Sequence, residues 1–224
     1  MSKVIFITAT DTGIGKTIFS ACLCRSLQKQ GKKFFYLKPI QTGSPPNFPE
    51  DPVLVLKLLN LKGNPLEHVI YNFKLPASPH LAAKVENKNI NIAYLKEKIL
   101  DFINKYEFIV LEGAGGAMVP ITEKYLTIDL LKELKLPVII VSRTKLGTLN
   151  HTLLTVEALK IRSIPILGIV FNFASNPLSL IEKDNILTLE KLTGVKTLGI
   201  IPKVKEITSE FELIVNNLDL GGII

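Results

Sequence analysis

The segment Thr10-Asp11-Thr12-Gly13-Ile14-Gly15-Lys16-Thr17 follows the apolar run Val4–Thr8 and precedes a stretch in which Phe19, Leu23 and Leu27 share one helical face. No other feature constrains the chain as tightly. A strand, a glycine turn and a helix in immediate succession form a phosphate cradle. Glycine lets the main chain approach the anion, the backbone N–H groups point inward, and the helix turns its positive end on the same charge. Lys16 is placed to reach the β- and γ-phosphates and the Thr17 hydroxyl to ligate Mg²⁺. The strict pattern asks for a further glycine five residues before Gly15, where this chain has Thr10, so the loop is a variant. The bland alternative is a plain strand-to-helix turn. Placement between a buried strand and an amphipathic helix favours binding of ATP and Mg²⁺.

Five further short apolar runs recur: Phe34–Leu37, Phe108–Leu111, Val138–Val141, Ile166–Phe171 and Leu198–Ile201. They are apolar throughout rather than alternating, which marks strands buried on both faces of a parallel sheet. Helical periodicity separates them, as at Leu149, Leu153, Val156 and Leu159. Strand–helix alternation predicts an α/β fold: a single doubly wound, mainly parallel sheet flanked by helices, P-loop NTPase-like, with residues 1–224 as one domain. Pro45–Pro52 reads as a shaped loop and Ile92–Ile103 as a helix. The stretch 60–91, broken by Pro65, Pro76 and Pro79, reads as an irregular excursion.

Composition excludes several classes. The net charge is +7, yet the lysines are spread along the chain with no dense basic run, there is no tryptophan, and aromatics are only 7%. That pattern argues against nucleic acid as a partner. No apolar run reaches the ~20 residues that span a bilayer, so no membrane role is expected. The first strand begins at Val4, so no signal peptide is expected either, and the expected location is cytoplasmic. Cys22 and Cys24 stand two apart in a predicted helix and point to different faces, which suits neither a disulfide nor a metal clamp.

Three more motifs carry chemistry. In Phe108-Ile-Val-Leu-Glu112-Gly-Ala-Gly-Gly116 a buried strand ends in one carboxylate at the edge that also carries the phosphate loop, which suits a magnesium ligand. Asp51 is a second candidate for the metal, and equally for a helix N-cap. Lys38, in Lys38-Pro-Ile-Gln-Thr42-Gly43, stands just beyond the second strand. Spacing alone fits an ordinary surface lysine equally well; the functional reading is that it faces the crevice of Lys16, where two cations neutralise a transferring phosphoryl group. The helix start near Gly147–Thr148 offers another anion site. His151, His68 and His80 form neither a triad nor a metal pattern.

With these motifs in hand, the chain resembles the dethiobiotin synthetases over nearly its whole length. The resemblance rests on Thr10–Thr17, Lys38-Pro-Ile-Gln-Thr-Gly43, Pro76-Ala-Ser-Pro-His80, Glu112-Gly-Ala-Gly-Gly116 and Lys145-Leu-Gly-Thr-Leu-Asn-His151. It implies a ligase that joins CO₂ to 7,8-diaminopelargonic acid as a carbamate. ATP then phosphorylates the carbamate, and the second amine closes the ring with release of ADP and phosphate. By position, Gly13, Ile14, Gly15, Lys16, Thr17 and Ile18 bind the phosphates, with Gly113, Ala114 and Gly115 beside the nucleotide. Thr17, Asp51 and Glu112 surround Mg²⁺. Lys38, Lys16 and Thr12 act at the reacting end, and Thr12 and Thr42 touch the diamine.

The resemblance further implies a homodimer in which Gly147, Thr148, Leu149 and Asn150 hold the substrate carboxylate across the interface. Asn172 and Phe173 meet adenine, and Pro202, Lys203 and Val204 lie beside the nucleotide. Where family members often carry Ser at position 42, an acidic residue at 13 and a polar one at 173, this chain has Thr42, Gly13 and Phe173. The competing class is a partitioning- or metal-insertion-type switch ATPase, which needs neither Lys38 nor Pro76–His80. An amidotransferase-coupled ligase needs a glutaminase domain for which 224 residues leave no room.

Overall fold

A computed structural model describes residues 3–224. The elements flanking the glycine loop form where the sequence places them, as β1 (Lys3–Ala9) and α1 (Lys16–Lys29). The other apolar runs become β2 (Phe34–Thr42), β4 (Phe108–Glu112), β7 (Val138–Arg143), β8 (Ile166–Ala174) and β9 (Thr197–Pro202). Together with β3 (Val69–Phe73) they make one seven-stranded sheet in the order β3-β2-β4-β1-β7-β8-β9. Every pairing in it is parallel. A small antiparallel pair, β5 (Pro120–Thr122) and β6 (Tyr125–Leu126), stands apart.

Helices cover both faces. On one side α1, α2 (Glu50–Leu59) and α8 (Ile207–Asn216) bury Phe19, Leu23, Val55, Leu58 and Phe211 against Ile5, Tyr36, Val110 and Ile139. On the other side lie α4 (Ile92–Lys105), α5 (Thr127–Glu133), α6 (Thr148–Ile161) and α7 (Leu180–Thr193). They bury Leu95, Leu130, Val156 and Leu189 against Phe6, Leu37, Ile109 and Ile140. Neighbouring residues of one strand thus enter opposite cores, which is why the strands read as unbroken apolar runs.

Three expectations need correction. The loop expected over Pro45–Pro52 ends at Pro49, the N-cap of α2. The stretch 60–91 is not one irregular excursion: it holds a 3₁₀ turn (Pro65–His68), the edge strand β3 and α3 (Pro79–Val85). Only Phe73 of β3 is fully buried, and an edge strand with a half-exposed face lacks the apolar run that marks its inner neighbours. β2 also does not end at Leu37. Its pairing with β4 stops at Leu37↔Leu111, but it continues beside β3 to Thr42. Pro39 therefore sits where β2 keeps only one neighbour, a position where a missing N–H is tolerated.

Among the described residues no helix is long and apolar enough to cross a membrane. Cys22 and Cys24 are both buried and free.

Candidate functional site

Parallel register assembles the site. Ile7 pairs with Glu112 and Leu37 with Leu111, so the last residue of β4 lies between the strand feeding the phosphate loop and Lys38 of β2. Tyr36, Lys38 and Glu112 alternate onto one face of the sheet, the face beneath α1 and α2. Those helices supply the remaining groups: Thr17 from the first turn of α1 and Asp51 from the first turn of α2. Chain order brings α2 there directly after β2, and its start is shaped by Pro49 at the N-cap and by Ser44 Oγ accepting from the Glu50 N–H. Asp51 is thus not an N-cap. It lies inside the helix, and its side chain is free to reach across to α1 and β2.

The resulting cluster is compact. Thr17 Oγ1 lies 2.9 Å from both Asp51 Oδ1 and Glu112 Oε1. Lys38 Nζ bridges the same two carboxylates, at 2.6 Å from Asp51 Oδ2 and 2.7 Å from Glu112 Oε1. It also donates to the Gly113 carbonyl at 3.3 Å. Tyr36 Oη donates to Glu112 Oε2 at 2.9 Å, so both oxygens of Glu112 have partners. Lys38 lies within β2, buried to 5% exposure, and Glu112 is fully buried. Lys38 therefore does not stand beyond the strand as expected from the sequence; the strand itself carries it into the core.

The charges tune one another. Burial works to lower the pKa of Lys38, but Glu112 and then Asp51 overcome it and hold the ammonium above its ordinary value. Burial also works to raise Asp51, yet Lys38 keeps that carboxyl below its usual range. Lys16 has no such partner at contact. Burial, followed by the positive charge of Lys38, pulls it down to about 8. Tyr36 is pushed well above its ordinary value by burial and by Glu112, so it remains a proton donor.

The loop is held from below. Gly15 has φ +87°, and a Cβ there would lie 1.8 Å from Asn172 Nδ2, so any side chain would strain the backbone and displace that amide. Asn172, buried in β8, donates to the Ile14 carbonyl at 2.9 Å and accepts from the Phe173 N–H at 2.7 Å. Its amide braces the loop. Phe173 is exposed near the end of β8, and the Ala174 carbonyl accepts from the Lys203 N–H at 2.8 Å, which sets Pro202, Lys203 and Val204 beside it. Ile18 lies half-buried in α1.

Two cavities open at this edge. One, of about 240 Å³, is lined by Thr12, Gly13, Lys16, Thr17, Lys38 and Glu112, with Asp51, Gln41 and Thr42 on its far wall. The other, of about 300 Å³, runs along Pro76–Pro79 and Val119. Thr12, Thr42, Ala114 and Gly115 line both, so they form the divide between a phosphate end and an outer end. Residues 147–150 line neither. Gly147 is the N-cap of α6 with φ +93°, and Asn150 is exposed. Thr148 is buried, its hydroxyl donating to the Arg143 carbonyl at 2.6 Å and lying 2.9 Å from Ser142 Oγ.

Sequence reasoning missed Tyr36 and Gln41. Tyr36 looks like any aromatic strand residue until the register sets it two positions from Lys38 on the same face. Gln41 is buried, its Nε2 donating to the Thr42 carbonyl at 3.1 Å while Oε1 has no partner. Glu182 is also unread, although Ser179 three residues before it marks a capping box. It ties α7 to the loops after β7 and β8.

Hard oxygen donors suit magnesium, and Thr17, Asp51 and Glu112 present two carboxylates and a hydroxyl around one point. Among the described residues no group of three or more His, Cys, Asp or Glu gathers as a metal cage. The donor set therefore fits a cation that draws its other ligands from phosphate and water.

Residues 3–210 match a family model described as an AAA domain. The chain is 39% identical to the ATP-dependent dethiobiotin synthetase BioD of Methanocaldococcus jannaschii, over 94% of this chain and 99% of that one. It is 38% identical to the protein of the same name from Bacillus velezensis, over 93% and 90% of the two chains. Among solved structures, a ParA family ATPase from Chlorobium tepidum superposes with a TM-score of 0.57 at 15% identity, covering 99% of this chain and 92% of that one. The MinD cell division protein of Aquifex aeolicus does so with 0.57 at 16%, covering 94% and 86%. At such identities these two speak for the fold alone.

Proposed function

The chain belongs to the family of ATP-dependent dethiobiotin synthetases, and from that premise we propose that it carboxylates 7,8-diaminopelargonic acid with CO₂ and closes the ureido ring at this cluster. As a member of the family it is an ATP-dependent ligase of small molecules. The finer reading is supported by one observation above all. Lys38, paired with two carboxylates beside the phosphate-loop threonine, sits at the wall of a cavity that continues past Thr12 and Thr42 into a second one.

One amine of the substrate attacks CO₂ and loses a proton, giving a carbamate. A carbamate oxygen attacks the γ-phosphorus of ATP, releasing ADP and leaving a carbamic–phosphoric anhydride. The second amine attacks the carbonyl carbon, phosphate leaves, and the ring closes. None of these steps needs a protein nucleophile, so the chain's task is positioning and neutralisation of charge.

Thr12 and Thr42, on the divide between the cavities, orient the diamine. The N–H groups of residues 13–18 and Lys16 hold the phosphates, with Gly113, Ala114 and Gly115 alongside. Bound at Thr17, Asp51 and Glu112, Mg²⁺ supplies charge neutralisation for the phosphate oxygens. Lys38 then exchanges its carboxylate partners for the oxygens of the carbamate and the migrating phosphoryl group. The adenine lies over the ends of β8 and β9, against Phe173, Pro202, Lys203 and Val204, with Asn172 beneath. The same reading includes a cytoplasmic homodimer of single-domain subunits, in which Gly147, Thr148, Leu149 and Asn150 receive the substrate carboxylate of the neighbouring subunit.

Purified protein given ATP, Mg²⁺, labelled bicarbonate and diaminopelargonate is expected to form acid-stable label with stoichiometric ADP. ATP hydrolysis at the same rate without the diamine would overturn the reading and favour a switch ATPase.

A further inference from the structure

Behind the acidic strand end lies a third, smaller space. It is walled by Phe6, Ile40, Pro79, Leu95, Ile121 and Leu130, on the face of the sheet opposite the charged cluster. The centre of a water-sized molecule has about 20 Å³ in which to move there. That exceeds the roughly 10–15 Å³ needed to hold one water molecule, so the space is large enough for a small occupant.

The polar groups at its edge are already satisfied. Glu112 has both carboxylate oxygens bonded to Thr17, Lys38 and Tyr36. Thr127 donates its hydroxyl to the Val119 carbonyl at 3.1 Å. A water molecule needs two to four polar partners to be held; Thr127 and Glu112 keep acceptor capacity only and offer no free side-chain donor, and the rest of the side-chain lining is apolar, so the space favours an apolar occupant. It also adjoins the proposed reacting end. Ala114 lines this space and both larger cavities, and Pro79 lines this space and the outer one.

We propose that this chamber holds CO₂ and delivers it past Ala114 to the amine of the substrate. The inference rests on the carboxylation proposed above and adds to it the place from which the carbon comes. CO₂ is small, uncharged and without a hydrogen-bond donor, and it loses little on leaving water for an apolar lining. Bicarbonate carries a charge that the same lining would leave unpaired. The chamber therefore also selects which of the two interconverting species is used.

The test uses nitrous oxide, a linear, unreactive molecule of the same electron count and nearly the same shape as CO₂. In the wild-type enzyme it is expected to compete with CO₂ and to leave the KM for ATP unchanged. Crystals held under xenon pressure are expected to show the gas between Leu95, Ile121 and Leu130. Leu130→Phe, which fills the chamber without touching the charged cluster, is expected to raise the KM for CO₂ about tenfold, equivalent to about 1.4 kcal/mol. It should also expel xenon. Absence of xenon from the wild-type chamber overturns the proposal, as does nitrous oxide that fails to compete or a folded Leu130→Phe enzyme with unchanged CO₂ dependence. Xenon in the chamber of a protein that makes no dethiobiotin removes the carboxylation reading, and with it the identity of the gas.

Discussion

Two carboxylates are buried at the same edge of the sheet, and they are held in opposite ways. Glu112, at the end of β4, is bonded to side chains far away in sequence: Thr17, Tyr36 and Lys38. One of these is a cation that also grips Asp51, and the group faces a cavity. Glu182, in the first turn of α7, is bonded to neutral donors: the hydroxyls of Thr144, Ser175 and Ser179 and the N–H groups of Ser175 and Ser179. Hydrogen bonds from Ser175 and then Thr144 hold its carboxyl far below the ordinary carboxylate range. Glu182 is saturated by its own surroundings and has nothing to exchange. Glu112 is balanced by a cation that borders a cavity, so under the proposed function an incoming metal ion and anion would replace that partner without leaving a buried charge unpaired. Burial alone does not distinguish these two carboxylates; the nature of their partners does.

Exchanging the two tests the contrast most severely. Glu112→Gln is expected to lower diamine-dependent turnover by about 10²–10³-fold, the scale on which a preorganised charge-stabilising group acts. Glu182→Gln is expected to leave turnover near wild type. Comparable activity losses in steady-state assays would erase the distinction.

Lys38→Ala comes next. It strands the fully buried Glu112 and the half-buried Asp51, and removing one partner of a buried pair costs roughly 3–5 kcal/mol. Thermal unfolding of the free protein should reveal that loss, and Mg²⁺ with ATP should restore part of it. Turnover should vanish while nucleotide binding, measured by calorimetry, stays largely intact. Equal loss of ATP affinity would place Lys38 on the nucleotide instead of the substrate.

Tyr36→Phe is milder, since it removes one hydrogen bond to a charged group, worth about 1.5–3 kcal/mol. Glu112 would then be held through Oε1 alone, by Thr17 and Lys38. The Mg²⁺ concentration for half-maximal activity should rise severalfold with the KM for the diamine unchanged; an unchanged magnesium dependence would make Tyr36 a packing residue only.

The smallest effect concerns acid. A carboxyl whose pKa is depressed by folding contributes stability that is complete above its unfolded value, here 4.5, and is lost as pH falls through the folded value. The melting-temperature gap between wild type and Glu182→Gln should therefore be constant above about pH 5 and narrow below it. A gap independent of pH would show that the network does not act through the charge.

The phosphate loop, the inner strands and the carboxylate of β4 were readable because each depends on its immediate neighbours. Gly15 suits a left-handed turn, Lys16 and Thr17 follow it at the helix start, and doubly buried strands show as apolar runs. β3 escaped because an edge strand is only half-buried and carries too weak an apolar signal. The extension of β2 through Pro39 escaped because proline normally ends a strand, and only the one-sided pairing permits it here. Tyr36 and Gln41 escaped because nothing local distinguishes a packing residue from one whose polar end meets a site.

The sequence by itself determined the α/β alternation, the anion cradle at residues 10–17 and the chemical types available at the sheet's carboxyl edge. Those follow from periodicity, glycine placement and residue type, which are properties of short stretches. Only the tertiary structure decided that Lys38 lies buried between Asp51 and Glu112, that Asn172 braces Gly15, and that Glu112 rather than Glu182 faces the cavity. Each of these joins residues tens of positions apart through parallel register and helix packing. Those relations exist only once the whole sheet has formed.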